Sequence, residues 1–173
     1  MRLSFLTFLF CIAFVLITFA QSKDATQNMK AQAGKMASAF LKDDYKTFAR
    51  YTYPLIVKAM GGADKMADVL SKGRAGMKAQ GAIISNITFD EPSKIIKAGK
   101  ELQATIPQHT EIKLTQGRLL NTSTLIAISE DNGANWTFID TSNKDRQTLN
   151  KVLPNLSPSI VIPPAQPPVK YDD

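Results

Sequence analysis

Cysteine is nearly missing from this sequence. Its single copy, Cys11, lies in an apolar leader, so a chain cleaved after residue 20 has no disulfide, no thiol nucleophile and no thiolate metal site. Histidine is as scarce. His109 stands alone, so no ligand spacing for a metal can be read and no metal or other cofactor is expected. There is one tryptophan, Trp136. Lys and Arg outnumber Asp and Glu by 21 to 15, a formal charge of +6. The lysines are scattered rather than gathered in a patch interleaved with aromatics, so the excess reads as a solvated surface and not as a nucleic-acid site. Proline is sparse in the body and dense at the end, with six of the nine between Pro154 and Pro168. The sequence has no internal repeat.

The first twenty residues read as a secretory signal. Arg2 supplies the basic start, Phe5 to Phe19 is almost unbroken apolar sequence, and Thr18-Phe19-Ala20 puts small residues where a signal peptidase reads them. The runner-up is an uncleaved anchor, because Leu3 to Ala20 is just long enough to span a bilayer. Lipidation at Cys11 is disfavoured by the bulky Phe8-Leu9-Phe10 before it. Cleavage removes Arg2 and no acid, leaving +6 − 1 = +5. The expected localisation is therefore exported, periplasmic or secreted, with no membrane contact after cleavage. The expected layout is a signal at 1–20, one α+β domain at 21–153 and a Pro-rich flexible tail at 154–173, with little core of its own.

Periodicity fills in the domain. Met29, Ala33, Met36, Ala37 and Phe40 recur at helical spacing over residues 24–42. Asp44 is placed to cap a second helix, Tyr45 to Met60, with a kink or restart near Thr52-Tyr53 because Pro54 removes a helix hydrogen bond. Gly61-Gly62 end it, and a third helix runs from about Ala63 to Ala79. At Ala82 the period changes to two. Ile83 to Phe89 is a strand, and Lys94-Ile95-Ile96-Lys97 continues it past Pro92. Leu102, Ala104 and Ile106, then Ile112 and Leu114, share one parity, which suggests one long strand bent at Pro107. Residues 144–153 suit a short helix with Leu149, Val152 and Leu153 on its apolar side.

Leu119 to Asp140 reads as a hairpin around Asp131-Asn132-Gly133. A two-residue turn would set Ile128 opposite Thr137. A three-residue turn sets Ile128 opposite Trp136 and Ile126 opposite Phe138. The second gathers the large apolar groups on one face, against the helices, and is the expected register. Ser129 to Trp136 also matches the Asp-box, S-x-D-x-G-x-x-W, of sialidase propeller blades. It occurs once, in a chain too short for several blades, so Asp131, Gly133 and Trp136 are read as a structural turn.

The order, three N-terminal helices packed on a curved antiparallel sheet of about four strands, defines an α+β class. Together with Phe48, Tyr51-Thr52-Tyr53-Pro54, Gly61-Gly62 and the closing Trp136-Thr137-Phe138, it resembles the NTF2-like (cystatin-like) fold over roughly residues 24–142. That resemblance implies a cone between helices and sheet, which holds a ligand in some members and is packed in others. Enzymes of this type place a Tyr and carboxylates inside it, which makes Tyr53, His109 and Asp140 the candidate catalytic residues, although they match no motif one by one. Beside each stands a simpler reading: a core aromatic, an ordinary strand histidine and a strand end. The function expected is an exported, non-catalytic binding or interaction module. It would take a small apolar ligand in the cone, or a protein partner on the open sheet face, where a homodimer could also form. The alternative is a small cone-pocket hydrolase or isomerase. Asn86, Asn121 and Asn135 each head a glycosylation triplet, relevant only in a eukaryotic secretory route.

Overall fold

A computed structural model describes residues 24–172. The segment expected to be a signal, with Cys11 and the expected cleavage site, lies outside the described residues. Helix α1 is described over residues 24–41, and Asp43, at φ +60°, turns the chain out of it. Asp44 then caps α2 (Tyr45–Tyr51), its side chain accepting from the Thr47 N–H at 3.1 Å. The chain leaves the helix at Thr52 and re-enters it at α3 (Pro54–Ala59), where Pro54 occupies the first turn and its missing N–H costs nothing. The expected second helix is thus two. The break has a use, because Thr52 bridges to Phe138 and the Tyr53 N–H bonds to the Phe138 carbonyl at 3.0 Å, which docks the helices on the sheet. Gly61 and Gly62, both at positive φ, lead into α4 (Ala63–Ala79).

Six strands follow: β1 (Ile83–Phe89), β2 (Ile96–Ala98), β3 (Glu101–Lys113), β4 (Arg118–Ser129), β5 (Thr137–Asp140) and, beyond α5 (Arg146–Val152), β6 (Val169–Tyr171). The sheet is antiparallel in the order β1-β3-β4-β5, with β2 also on β3 and β6 also on β4. β3 runs without interruption through Pro107. β1 ends at Phe89, so no ladder bond there needs a Pro107 N–H, and its carbonyl accepts from Asp90 N–H at 3.1 Å.

The sheet expected to have about four strands has six, because β1 and β2, expected as one strand, are separated by residues 90–95, and because β6 joins from the C-terminal segment. Two further expectations are corrected. First, the hairpin pairs Ile128 with Thr137, Ala127 with Phe138 and Ile126 with Ile139. The large apolar groups therefore divide between the two faces. Ala127 and Phe138 join Ala104, Ile106, Leu125 and Trp136 under Met29, Ala33 and Met36 of α1. Ile126, Ile128 and Ile139 face the other way. Second, the segment after Pro154 is not a bare tail. Leu156 and Ile160 join Leu149, Leu153 and Tyr53 in a core on that second face, and β6 pairs with β4. The Arg146 guanidinium pins the segment by donating to the carbonyls of Ser157, at 2.6 Å, and Ile160, at 2.9 Å. The register and the covering segment explain each other: with apolar groups available on both sides, burying alternate residues of β4 on opposite faces costs no exposed hydrophobe.

Candidate functional site

The hairpin loop is a closed structural device. Asp131 Oδ1 accepts from Asn135 N–H at 2.8 Å and from Ser129 Oγ at 2.9 Å, and Ser129 Oγ accepts from Gly133 N–H at 2.9 Å. The Asn135 N–H bond is the main reason the Asp131 carboxyl titrates below its ordinary range. Trp136 folds back, its indole N–H donating to the Gly133 carbonyl at 3.0 Å. A pair one turn apart on α1 clasps the loop: Asn28 donates to the carbonyls of Gly133 and Ala134, both at 2.7 Å, and Gln32 both accepts from Trp136 N–H and donates to Ala134, each at 2.9 Å. Every polar group of this motif that the hydrogen bonds reach is used in folding, and none lines the cavity between helices and sheet.

The pocket lies at the opposite end of the same strands. Between the helices and the concave face of the sheet is a cavity of about 430 Å³. Its helical walls are apolar, with Met36, Phe40, Phe48, Met60, Met66 and Leu70. Its floor is polar. Gln108 stands opposite Ser123, and Thr110 opposite Asn121, as registered cross-strand pairs. The Gln108 amide reaches both Thr110 Oγ1 and Ser123 Oγ at 3.4 Å. Asp140 and Lys144 stand at one edge, with Lys144 Nζ held by the Asp140 carbonyl at 2.9 Å.

The three candidate residues do not converge. Asp140 lines the cavity, but its Oδ1 accepts from Ser142 N–H at 2.7 Å. Tyr53 is buried in the second core, where burial, with Glu101 and Glu130 as lesser causes, raises its phenol above the usual value. His109 alternates with Gln108 and Thr110 and so points away from the cavity. Its ring is held by Asp90 Oδ2 at 2.8 Å and Thr122 Oγ1 at 3.1 Å. Among the described residues no cluster of three or more His, Cys, Asp or Glu could hold a metal ion, and no helix is long and apolar enough to cross a membrane.

Sequence reasoning missed the floor, although a signal was there. On the inward parity of β3 the row Ala104, Ile106, Gln108, Thr110, Ile112 turns polar in the middle. On β4 the row Leu119, Asn121, Ser123, Leu125, Ala127 does the same. Two polar interruptions on facing strands mark a place where the core is not closed. The clasp by Asn28 and Gln32 had no comparable signal, since polar residues on a helix ordinarily mean solvent. No protein-family model matches this chain, and no curated protein matches it. What the structure defines is a class: an α+β protein whose first four helices cover one face of a curled antiparallel sheet and leave a cavity there.

Proposed function

We propose that this is an exported, NTF2-like binding module that takes a small, largely apolar molecule in the cavity between helices and sheet. The observation that carries the reading is the cavity's construction. Its volume of about 430 Å³ falls in the range of small-molecule sites, and it pairs apolar walls with a few convergent polar groups. A floor of Gln108, Thr110, Asn121 and Ser123 would be a poor choice for closing a core, where apolar side chains stabilise without needing partners. It is a good choice for orienting a ligand. The separation of Tyr53, His109 and Asp140 favours binding over the hydrolase or isomerase alternative, which needs at least two such groups on one substrate.

The test is a titration of the purified protein with an uncharged apolar fluorophore such as N-phenyl-1-naphthylamine. Saturable binding is expected, and Ala37→Phe, which fills the cavity from α1, should abolish it. Thr110→Phe fills the cavity from the sheet and serves if the first variant does not fold. Unchanged binding in a folded filled variant would defeat the proposal.

A further inference from the structure

The cavity shares part of its wall with a second hollow. β4 carries β5 along residues 125–128 of its outer edge and β6 along residues 118–120. Between them lies a notch, and Thr124 is the residue there whose carbonyl takes a bond, from Thr141 N–H at 3.0 Å. Backbone groups of alternate residues in an antiparallel strand face the same edge, so Thr122 presents its N–H and C=O to this notch. The second hollow, of about 940 Å³, opens at the notch, and Asn121, Ser123 and Lys144 line both hollows. The roof of the second is the strap Ile162 to Pro168, which runs from the second core to β6. Four prolines at 163, 164, 167 and 168 hold the strap extended over the notch.

The two hollows differ in chemistry. Around the strap the wall carries the hydroxyls of Thr122, Thr124, Thr141 and Ser142 and the amides of Asn143 and Gln166. Thr122 Oγ1 also pairs with His109 and Thr141 Oγ1 donates to the Thr124 carbonyl at 2.8 Å, which leaves Thr124, Ser142, Asn143 and Gln166 as the main groups for a ligand. The charged groups in that wall are committed elsewhere. Lys144 Nζ donates to the carbonyls of Asp140 and Ser142, at 2.9 and 3.3 Å, and Asp145 caps α5 through Thr148 N–H at 2.7 Å. Arg146 holds the chain carbonyls described above. A charged ligand group would have to compete with these bonds of the fold, whereas a hydroxyl can both donate to and accept from such a wall.

We infer that cavity and strap groove form one continuous site for a two-part amphiphile, its apolar chain in the cavity and an uncharged, hydroxyl-bearing head beneath the C-terminal strap. The inference rests on the ligand-binding reading above and adds to it the head-group class and a role for residues 162–171.

Four monomeric octyl compounds, titrated into the purified full chain, test it: octanol, octyl glucoside, octanoate and octylamine. Octyl glucoside should bind more tightly than octanol by on the order of tenfold, what a pair of good hydrogen bonds supplies. Octanoate and octylamine should not exceed octanol. Val169→Pro removes a ladder donor from β6 and should bring glucoside down to the octanol level while leaving octanol unchanged. The double variant Asn143→Gly with Gln166→Ala should do the same with the strap in place. Equal affinity for glucoside and octanol, or a preference that survives both variants, overturns the two-part site and leaves the cavity reading standing. Failure of octanol itself to bind removes both.

Discussion

The two halves of the β3–β4 ribbon share strands, register and curvature, yet they are built to different ends. At the hairpin end, Ala104, Ile106, Leu125 and Ala127 face α1 in a dry core, and the reverse face is closed by Ile126, Ile128 and Ile139 under α5 and the following segment. At the other end, Gln108, Thr110, Asn121 and Ser123 occupy the same inward parity and face a hollow. One half is closed on both sides and carries the stability. The other is supported by its neighbour and is free to be polar. This division explains why the most motif-like stretch of the chain is structural, while the cavity-facing residues have no motif.

Substitutions should separate the halves. The largest loss is expected from Trp136→Ala, roughly 3–5 kcal/mol in denaturant unfolding, because the side chain is buried and its indole N–H bonds the Gly133 carbonyl. A loss under about 1 kcal/mol would mean that this end is not the stabilising one. Gln32→Ala comes next, at about 1–3 kcal/mol, since it strands the buried Trp136 N–H and takes one of two donors from the Ala134 carbonyl. Gly133→Ala should cost roughly 1–2 kcal/mol in strain for a side chain at positive φ. The added methyl would also lie 2.7 Å from Ala25 Cβ, and something must shift. A variant as stable as the parent would contradict the loop geometry. By contrast, Asn121→Leu should change stability by no more than about 0.5 kcal/mol in either direction while altering ligand affinity.

The smallest effect concerns pH. The Asp131 carboxylate is stabilised in the fold, so its folded pKa lies below its unfolded one. Its contribution is complete above the ordinary carboxylate value of 3.8 and is lost as pH falls through the depressed folded value. Acid unfolding curves of the parent and Asp131→Asn should therefore converge as pH drops below that value. Curves that stay parallel would show that the carboxylate's charge plays no part.

Much of this was legible in the sequence. The Met and Ala stripe of α1, the Asp44 cap, the break at Pro54 and the change of period at Ala82 each reflect a local rule, and local rules need only neighbours in sequence. The register of β4 and β5 was not legible, because it depends on what covers the second face. That cover comes from Leu149 to Ile160, where the helix was legible but the prolines from Pro154 on suggest a solvated tail. The strap's position over the notch is hidden for the same reason: three residues of β6, at Val169–Tyr171, decide where it lies. In the site, the polar interruption at Gln108 and Asn121 could be read, whereas its meaning requires knowing that the two rows face each other.

Side-chain amide signals in nitrogen-15 NMR give the most direct check on the division. Octanol titrated into the labelled protein should shift the Gln108 and Asn121 amides, which line the cavity, and leave the amide of Gln103 in place. Gln103 is fully buried and bonded to the Asn155 carbonyl at 3.2 Å. A shift of Gln103 with Gln108 and Asn121 unmoved would contradict the account.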